Sequence, residues 1–342
     1  MMARYSFKND YSEGCHPNIL EALARSNFQQ EAGYGLDSHS TKAKEMIRSL
    51  IKNQEAKIHF IAGGTLSNLL VISSLLRSYQ SVISCECGHI LQNETAAIEA
   101  TGHKIHSIKS DNGKLTVQAI DSLINEIGNN FPHSEKPGLI YISNPTEVGT
   151  IYYKDELKKL SDYCRENDLY LYMDGARLGH ALTAEGNDIN IEDIARLTDV
   201  FYIGGTKNGA LLGEAIVINT EKVNEEFEYS IKQRGALMAK GRILGIQFEE
   251  LLKDNLYFKL AKHANNLSMQ LKNALLKKGY PLLSDTVTNQ IFPIMDNQKI
   301  EELLKKFDFY IWQKIDKKRS AIRLITSWAT EEDKVNDLIQ EL

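Results

Sequence analysis

An α/β fold built on a predominantly parallel sheet, followed by a smaller α+β domain, is what this sequence predicts. Three observations carry the prediction. From Lys57 to Ile218 short apolar runs alternate with helical patterns, and after Asn219 the alternation gives way to long helices followed by a few strand-like pieces. The third is length: 342 residues exceed what one hydrophobic core usually organises, so two domains are expected, residues 1–250 and 251–342.

The first thirty-odd residues are polar and irregular, with Gly14, Pro17, Gly33 and Gly35, and only Asn18 to Ser26 has a helical pattern. The rest of this stretch is an arm that must lie on something, and it is assigned to the large domain. Ala43, Met46, Ile47 and Leu50 fall at helical spacing, which predicts a helix from Ser38 to Ile51 capped by Ser38 or Ser40. Strands are expected at 57–61, 81–84, 104–108, 138–143, 169–173, 200–203 and 215–218. Helices are expected between most of them, at 65–77, 93–100, 117–127, 155–167 and 191–197. Strand and helix in turn mean parallel pairing with helices on both faces. Helices at 222–234, 243–252 and 256–278 come next, the 243–252 helix bridging the two cores. Strands at 290–294, 310–312 and 322–327 and helices at 300–306 and 331–342 complete the second domain.

Composition narrows the classes of function. Charged residues make up 25% and hydrophobic ones 42%, ordinary for a globular protein. A net charge of −5 argues against a nucleic-acid or anionic-membrane surface, since either wants a basic face. No basic segment followed by an apolar run opens the chain, and the longest apolar stretch, Leu69 to Leu76, is too short to span a bilayer. Four cysteines (Cys15, Cys85, Cys87, Cys164) in so long a chain do not form a disulfide framework. A cytoplasmic protein with reduced thiols is expected.

The chemistry concentrates where two buried strands end. One leads into Asp174-Gly175-Ala176-Arg177, the other into Gly204-Gly205-Thr206-Lys207-Asn208-Gly209. Ligands of α/β sheets lie beyond the carboxyl ends of the strands, so both side chains arrive at one face. An aspartate and a lysine held there suit pyridoxal phosphate, whose aldehyde needs a lysine and whose ring nitrogen needs an acid. Each residue also has a plainer reading, Asp174 as a helix N-cap and Lys207 as a solvated loop lysine. Their spacing of 33 residues, about one βαβ unit, makes the pair more specific than either alone.

Gly63-Gly64-Thr65-Leu66-Ser67 opens a helix after a strand, so backbone N–H groups and two hydroxyls can take an anion; a ligand-free strand–turn–helix junction has the same sequence. There is no lysine at the P-loop position. His89, after the second strand, is either a turn histidine or a ring stacked on the cofactor that can also move protons. Cys85, Cys87 and His89 are spaced too closely for a structural zinc site, and no metal is expected. Arg177 and Arg323 are candidates for a substrate carboxylate, which guanidinium binds bidentately, although an arginine in a strand usually faces solvent or an acid.

Other segments complete the pattern: Phe7-Lys8-Asn9-Asp10 with Gly14-Cys15-His16-Pro17, then Gly33-Tyr34-Gly35-Leu36-Asp37, Ser143-Asn144-Pro145-Thr146-Glu147-Val148-Gly149-Thr150 and Ile322-Arg323-Leu324. With the Asp174 and Lys207 motifs they make the chain, over nearly its whole length, resemble the low-specificity L-threonine aldolases, pyridoxal-phosphate enzymes of the β-eliminating-lyase group. The resemblance implies a fold of the aspartate-aminotransferase type (fold type I), with a mixed, mostly parallel seven-stranded sheet and a smaller C-terminal α+β domain. It implies retro-aldol cleavage of L-threonine, L-allo-threonine and related β-hydroxy-α-amino acids to glycine and an aldehyde.

Residue by residue, the resemblance makes Lys207 the Schiff-base lysine, Asp174 the ring-nitrogen partner and His89 the stacking ring. Gly64, Thr65 and Thr206 would contact the cofactor, and Arg177 and Arg323, with Asn9 and Tyr34, the substrate. It implies a homodimer or homotetramer in which the Lys232–Lys240 segment of a neighbouring subunit, through Arg234 or Lys240, completes the site. Asn9 stands where the family often has serine, and Glu147 where another branch has histidine, so Glu147, His89 or a water is left as the base. Another β-eliminating lyase or an aminotransferase is the alternative on the same cofactor, and a catalytically silent binding protein the alternative of a different class.

Overall fold

The computed structural model describes residues 4–220 and 226–342. Its strands in chain order are β1 (Tyr5–Ser6), β2 (Lys57–Ile61), β3 (Gln80–Cys85), β4 (Ile105–Ile108), β5 (Lys136–Ser143), β6 (Tyr170–Asp174), β7 (Val200–Gly204), β8 (Glu214–Ile218), β9 (Gln290–Ile291), β10 (Ile294–Asp296), β11 (Phe307–Asp308), β12 (Tyr310–Lys314) and β13 (Arg319–Ile325). Seven of them form one sheet in the order β2-β8-β7-β6-β5-β3-β4. Strands β3 to β7 pair in parallel, and β8 runs antiparallel to both of its neighbours, β2 and β7. The sheet is therefore mixed and mostly parallel, as expected. β8 runs back because only the turn at 205–213 joins it to β7, too short for a helical crossover. The central strands are buried on both faces, which is why they read as near-continuous apolar runs.

Local chemistry moved some boundaries. The helix Ser38–Ile51 is capped by Asp37 rather than by a serine: its carboxylate accepts the Ser40 N–H at 2.7 Å. Its buried face packs on the helix Arg242–Leu252, where Gly245 has no room for a Cβ, which would stand 2.4 Å from Ser40 Oγ. The helix expected at 93–100 does not form. A short helix, His89–Gln92, is followed by Thr95 and Ala96 in the left-handed region (φ 50° and 57°) and a 3-10 turn, Glu99–Thr101. Glu94 is drawn inward to meet His89 and Asn68, and the backbone breaks to let it. Of the helix expected at 222–234, residues 222–225 lie outside the described residues, and the helix described is Phe227–Gln233.

β10, β13 and β12, with β9 also on β13, form the smaller antiparallel sheet. Pro293 has no N–H to give a ladder and splits the strand expected at 290–294 into β9 and β10. Leu271, Ile322, Leu324, Val335 and Leu338 are part of this second core. The bridge between the cores is one helix later than expected. Leu256–Lys277 places Tyr257 and Leu260 in the large core and Leu267, Leu271 and Leu275 in the small one, while Phe248 and Leu251 of the preceding helix stay in the large core. The N-terminal arm, assigned to the large domain, starts in the small one: β1 pairs with β11, and Phe7 is fully buried there. Among the described residues no helix is long and apolar enough to cross a membrane.

Candidate active site

Asp174 ends β6, and Lys207 follows β7, the next strand of the sheet. The register sets Tyr141 opposite Tyr172, and Tyr172 opposite Val200. Because side chains alternate along a strand, Tyr141, Tyr172, Asp174 and Tyr202 all share one face. There the Tyr141 hydroxyl donates to Asp174 Oδ2 at 2.6 Å and the Tyr202 hydroxyl to Oδ1 at 2.5 Å. The Ala176 N–H adds a bond to Oδ1 at 2.9 Å, and Asn68 Nδ2 one to Oδ2 at 3.3 Å. Burial pushes Asp174 up, but the charge on His89 and these donors outweigh it, so the carboxyl lies below its ordinary range. It stays an anion in the interior.

His89 is held from the other side. Its Nδ1 is 2.7 Å from Glu94 Oε1, which also accepts Asn68 Nδ2 at 2.7 Å, while Tyr172 fixes Asn68 by donating to its Oδ1 at 2.8 Å. Burial disfavours the imidazolium, yet Glu94, Glu147 and Asp174 outweigh it and raise the His89 pKa. Lys207 is half-buried, and its amine has no hydrogen-bond or ion-pair partner among the described residues. Burial and the charge of Arg177 lower its pKa against the pull of Asp10, Glu147 and Asp174. A desolvated lysine with a depressed pKa is suited to nucleophilic attack.

The helix Gly64–Leu75 begins beside this group. Gly63 gives it no side-chain cap, and the first bond back is Ser67 N–H to Gly63 O, so the N–H groups of Gly64, Thr65 and Leu66 have no acceptor among the described residues. A Cβ at Gly64 would stand 3.1 Å from the Tyr202 hydroxyl, the same hydroxyl that serves Asp174. An anion-ready helix end thus abuts the Asp174 box, with Thr65 exposed at it. Amine, buried carboxylate and anion site together meet the three demands of pyridoxal phosphate.

The arginines divide the labour unequally. Arg177 is buried, and its Nε and Nη2 bind Asp10 bidentately at 2.6 and 3.0 Å. Asn289 Nδ2 holds the same Asp10 at 2.9 Å. Arg323 forms no ion pair among the described residues; its guanidinium lies over the rings of Tyr310 and Trp312, at 5.1 and 4.9 Å, and its Nε is buried without a partner. Burial and Arg177 lower its pKa. A stacked guanidinium with an unfilled donor has the chemistry to bind a carboxylate.

The structure groups Asp174, Lys207, His89, Arg177 and Arg323 within electrostatic reach of one another, with the Glu147 carboxylate acting on His89, Lys207 and both arginines. Thr206 is nearby, but its hydroxyl donates to Glu214 Oε1 at 2.8 Å and accepts the Gly213 N–H at 3.0 Å, so the turn itself uses it. Asn9 Oδ1 accepts from Tyr11 N–H and Ser12 Oγ, both at 3.0 Å, in a local turn. Tyr34, Arg234 and Lys240 are exposed and bonded to none of these residues. The Tyr34 N–H bonds Ala239 O at 3.1 Å and its ring lies beneath Lys232 at 4.8 Å, so the Tyr34 loop and the 232–240 segment form one surface unit. Asp10, Asn68, Glu94, Tyr141 and Tyr202 were not singled out in the sequence. Their only signals were a tyrosine in each of three buried strands and an aspartate inside an otherwise polar arm.

A sequence profile of the beta-eliminating lyases matches residues 9–298. The low specificity L-threonine aldolase of Pseudomonas sp. (strain NCIMB 10558) is 34% identical over 345 residues, spanning 98% of this chain and 96% of that one. The solved structure of a threonine aldolase from Leishmania major superposes with a TM-score of 0.96 at 48% identity, over 98% of both chains. A Thermus thermophilus aspartate aminotransferase double mutant, 15% identical, shares the fold with a TM-score of 0.73 over 99% of this chain and 90% of that one. With an aspartate boxed by tyrosines, a desolvated lysine one strand away and this match along most of its length, the chain belongs to the beta-eliminating lyase family.

Proposed function

We infer that this chain uses pyridoxal phosphate to cleave L-threonine, L-allo-threonine and related β-hydroxy-α-amino acids to glycine and an aldehyde. What supports the reading is the placement of Asp174 and Lys207 at neighbouring strand ends, with the helix end at Gly64 against the Asp174 box and an Arg323 that forms no ion pair among the described residues. Bound there, the cofactor supplies an electron sink for the breaking Cα–Cβ bond. The protein does the rest. Lys207 presents an amine whose pKa burial lowers, Asp174 keeps a fixed negative charge for a ring nitrogen, and the N–H groups of Gly64 and Thr65 receive a phosphate. Arg323 takes the substrate carboxylate, whereas Arg177, occupied by Asp10, borders that pocket and holds the arm in place.

A proton must leave the β-hydroxyl. His89 has its Nδ1 committed to Glu94, which leaves only Nε2 to accept a proton. Among the described residues Glu147 accepts only the long 3.4 Å bond from Ser143 Oγ, which leaves a carboxylate oxygen to serve as base. Glu147→Gln is expected to lower kcat about a hundredfold or more, the usual scale of general-base catalysis, with little change in KM. A kcat within threefold of the unsubstituted enzyme would return the base role to His89 or a water.

The exposed unit formed by the Tyr34 loop and the 232–240 segment suits a homodimer or homotetramer in which Tyr34, Arg234 or Lys240 completes a neighbour's site. Four cysteines without a disulfide suit the cytoplasm.

The test is to incubate the purified, cofactor-loaded protein with L-threonine, L-allo-threonine and the matching amino alcohol that lacks a carboxylate. Glycine and acetaldehyde are expected from the first two and nothing from the third, which has no group for Arg323. Ammonia with a keto acid in place of glycine would show elimination or transamination instead. Cleavage of the amino alcohol would remove Arg323 from its role.

A further inference from the structure

One buried carboxyl near the lysine has no part in the reading above. Glu214 opens β8, where its backbone pairs with Gly204 at the end of β7 and with Ile61 at the end of β2. It therefore sits between the strand that delivers Lys207 and the strand that delivers the anion-binding helix. Its side chain is bound by neutral donors only. Gly205 N–H donates to Oε2 at 3.0 Å and Thr206 Oγ1 to Oε1 at 2.8 Å. Among the described residues no lysine or arginine forms an ion pair with it, although the residue is 4% exposed. Its two partners are the residues immediately before Lys207.

We propose that Glu214 is a positioning residue for Lys207: its buried carboxyl clamps the turn that carries the amine and acts on that amine through its charge. The inference rests on the reading of Lys207 as the cofactor's lysine. Its physics is that of two ionisable groups confined in one poorly solvated place. Creating both charges there, or emptying the pair of its last proton, is costly, so the protonation of each depends on that of the other. Burial drives the two in opposite directions, Glu214 up to about 8 and Lys207 down, toward each other. Thr206, Gly205 and the lysine's own charge restrain the carboxyl's rise. The other groups that face Glu214 are Asp174 and Tyr172 on β6, Tyr202 on β7 and Tyr257 on the long bridging helix. Asp174 is already an anion held by its own donors, and burial raises the three phenols above their ordinary values. Lys207 is thus the group left to exchange charge with Glu214.

The experiment is a pH titration of the visible spectrum of the cofactor-loaded protein, which reads the protonation at Lys207 without turnover. The unsubstituted protein is expected to show a broad transition, wider than one proton allows. Glu214→Gln keeps the shape of the side chain but cannot titrate. Its transition is expected to narrow to a single proton and to move down by about one pH unit, because the amide removes the anion that favours the protonated nitrogen. Superimposable curves would overturn the inference while leaving the function intact. A protein that acquires no visible band at all would sink both. If the glutamine variant fails to fold, Glu214→Asp decides: it retains a titrating carboxyl, so the broad transition should survive in it, and a single-proton curve there overturns the proposal.

Discussion

Lys207→Ala is expected to lower kcat/KM by at least about a thousandfold and to remove the visible absorbance that marks cofactor joined to the protein. The size follows from chemistry: among the described residues no other lysine acts on the site's group of interacting charges, so none is placed to replace the amine. The loss cannot be blamed on the fold. The turn is held by Thr206 and Gly205 on Glu214, by the Asn208 N–H on Gly205 O, and by Asn208 Nδ2 on Tyr257 O at 2.7 Å, none of which uses the lysine side chain. Removing a desolvated amine also relieves burial, so the thermal midpoint should hold or rise. Retained absorbance and turnover in a variant confirmed by mass would overturn the assignment of Lys207.

Asp174→Asn is the second large effect. Asparagine fits the same box, with the Tyr141 and Tyr202 hydroxyls still beside it, but supplies no charge to the ring nitrogen. kcat is expected to fall by about a hundred- to ten-thousandfold, the scale seen when a buried aspartate that fixes a partner's protonation is neutralised. The pH dependence follows from the sign of the shift. A carboxyl whose folded pKa lies below its unfolded value, about 3.9, contributes stability that is present above that value and fades as acid takes the pH down through the folded pKa. Between about pH 6 and pH 9 Asp174 is ionised throughout, so the deficit of the asparagine variant should be constant across that window. A deficit that disappears toward pH 6 in kcat measurements would show that Asp174 is titrating there, against the geometry of four hydrogen-bond donors around it.

The corrections between expectation and structure have a common form. Asp37 replaced serine as a cap because a carboxylate three residues before a free N–H takes the bond, a local matter that close reading of the chain contains. Glu94 broke the helix expected at 93–100 because His89 and Asn68 wait for it inside, and Asn68 comes from another element. Arg177, read as a carboxylate clamp, has its Nε and Nη2 on Asp10, 167 residues away in sequence. Arg323, whose plain reading was a solvated or acid-paired strand residue, is instead stacked on two rings with a donor unfilled.

What the chain alone determined was the alternation of strand and helix, the mixed α/β class, and the two strand ends that carry an aspartate and a lysine, all of them products of short-range periodicity. Tertiary structure decided which side chains meet. Strand register gathered three tyrosines on one face and aimed two of their hydroxyls at Asp174, and the arm's return put Asp10 under Arg177. Periodicity is set by a residue's neighbours along the backbone, whereas register and long-range contact are set by the packing of the whole core, which no local pattern encodes.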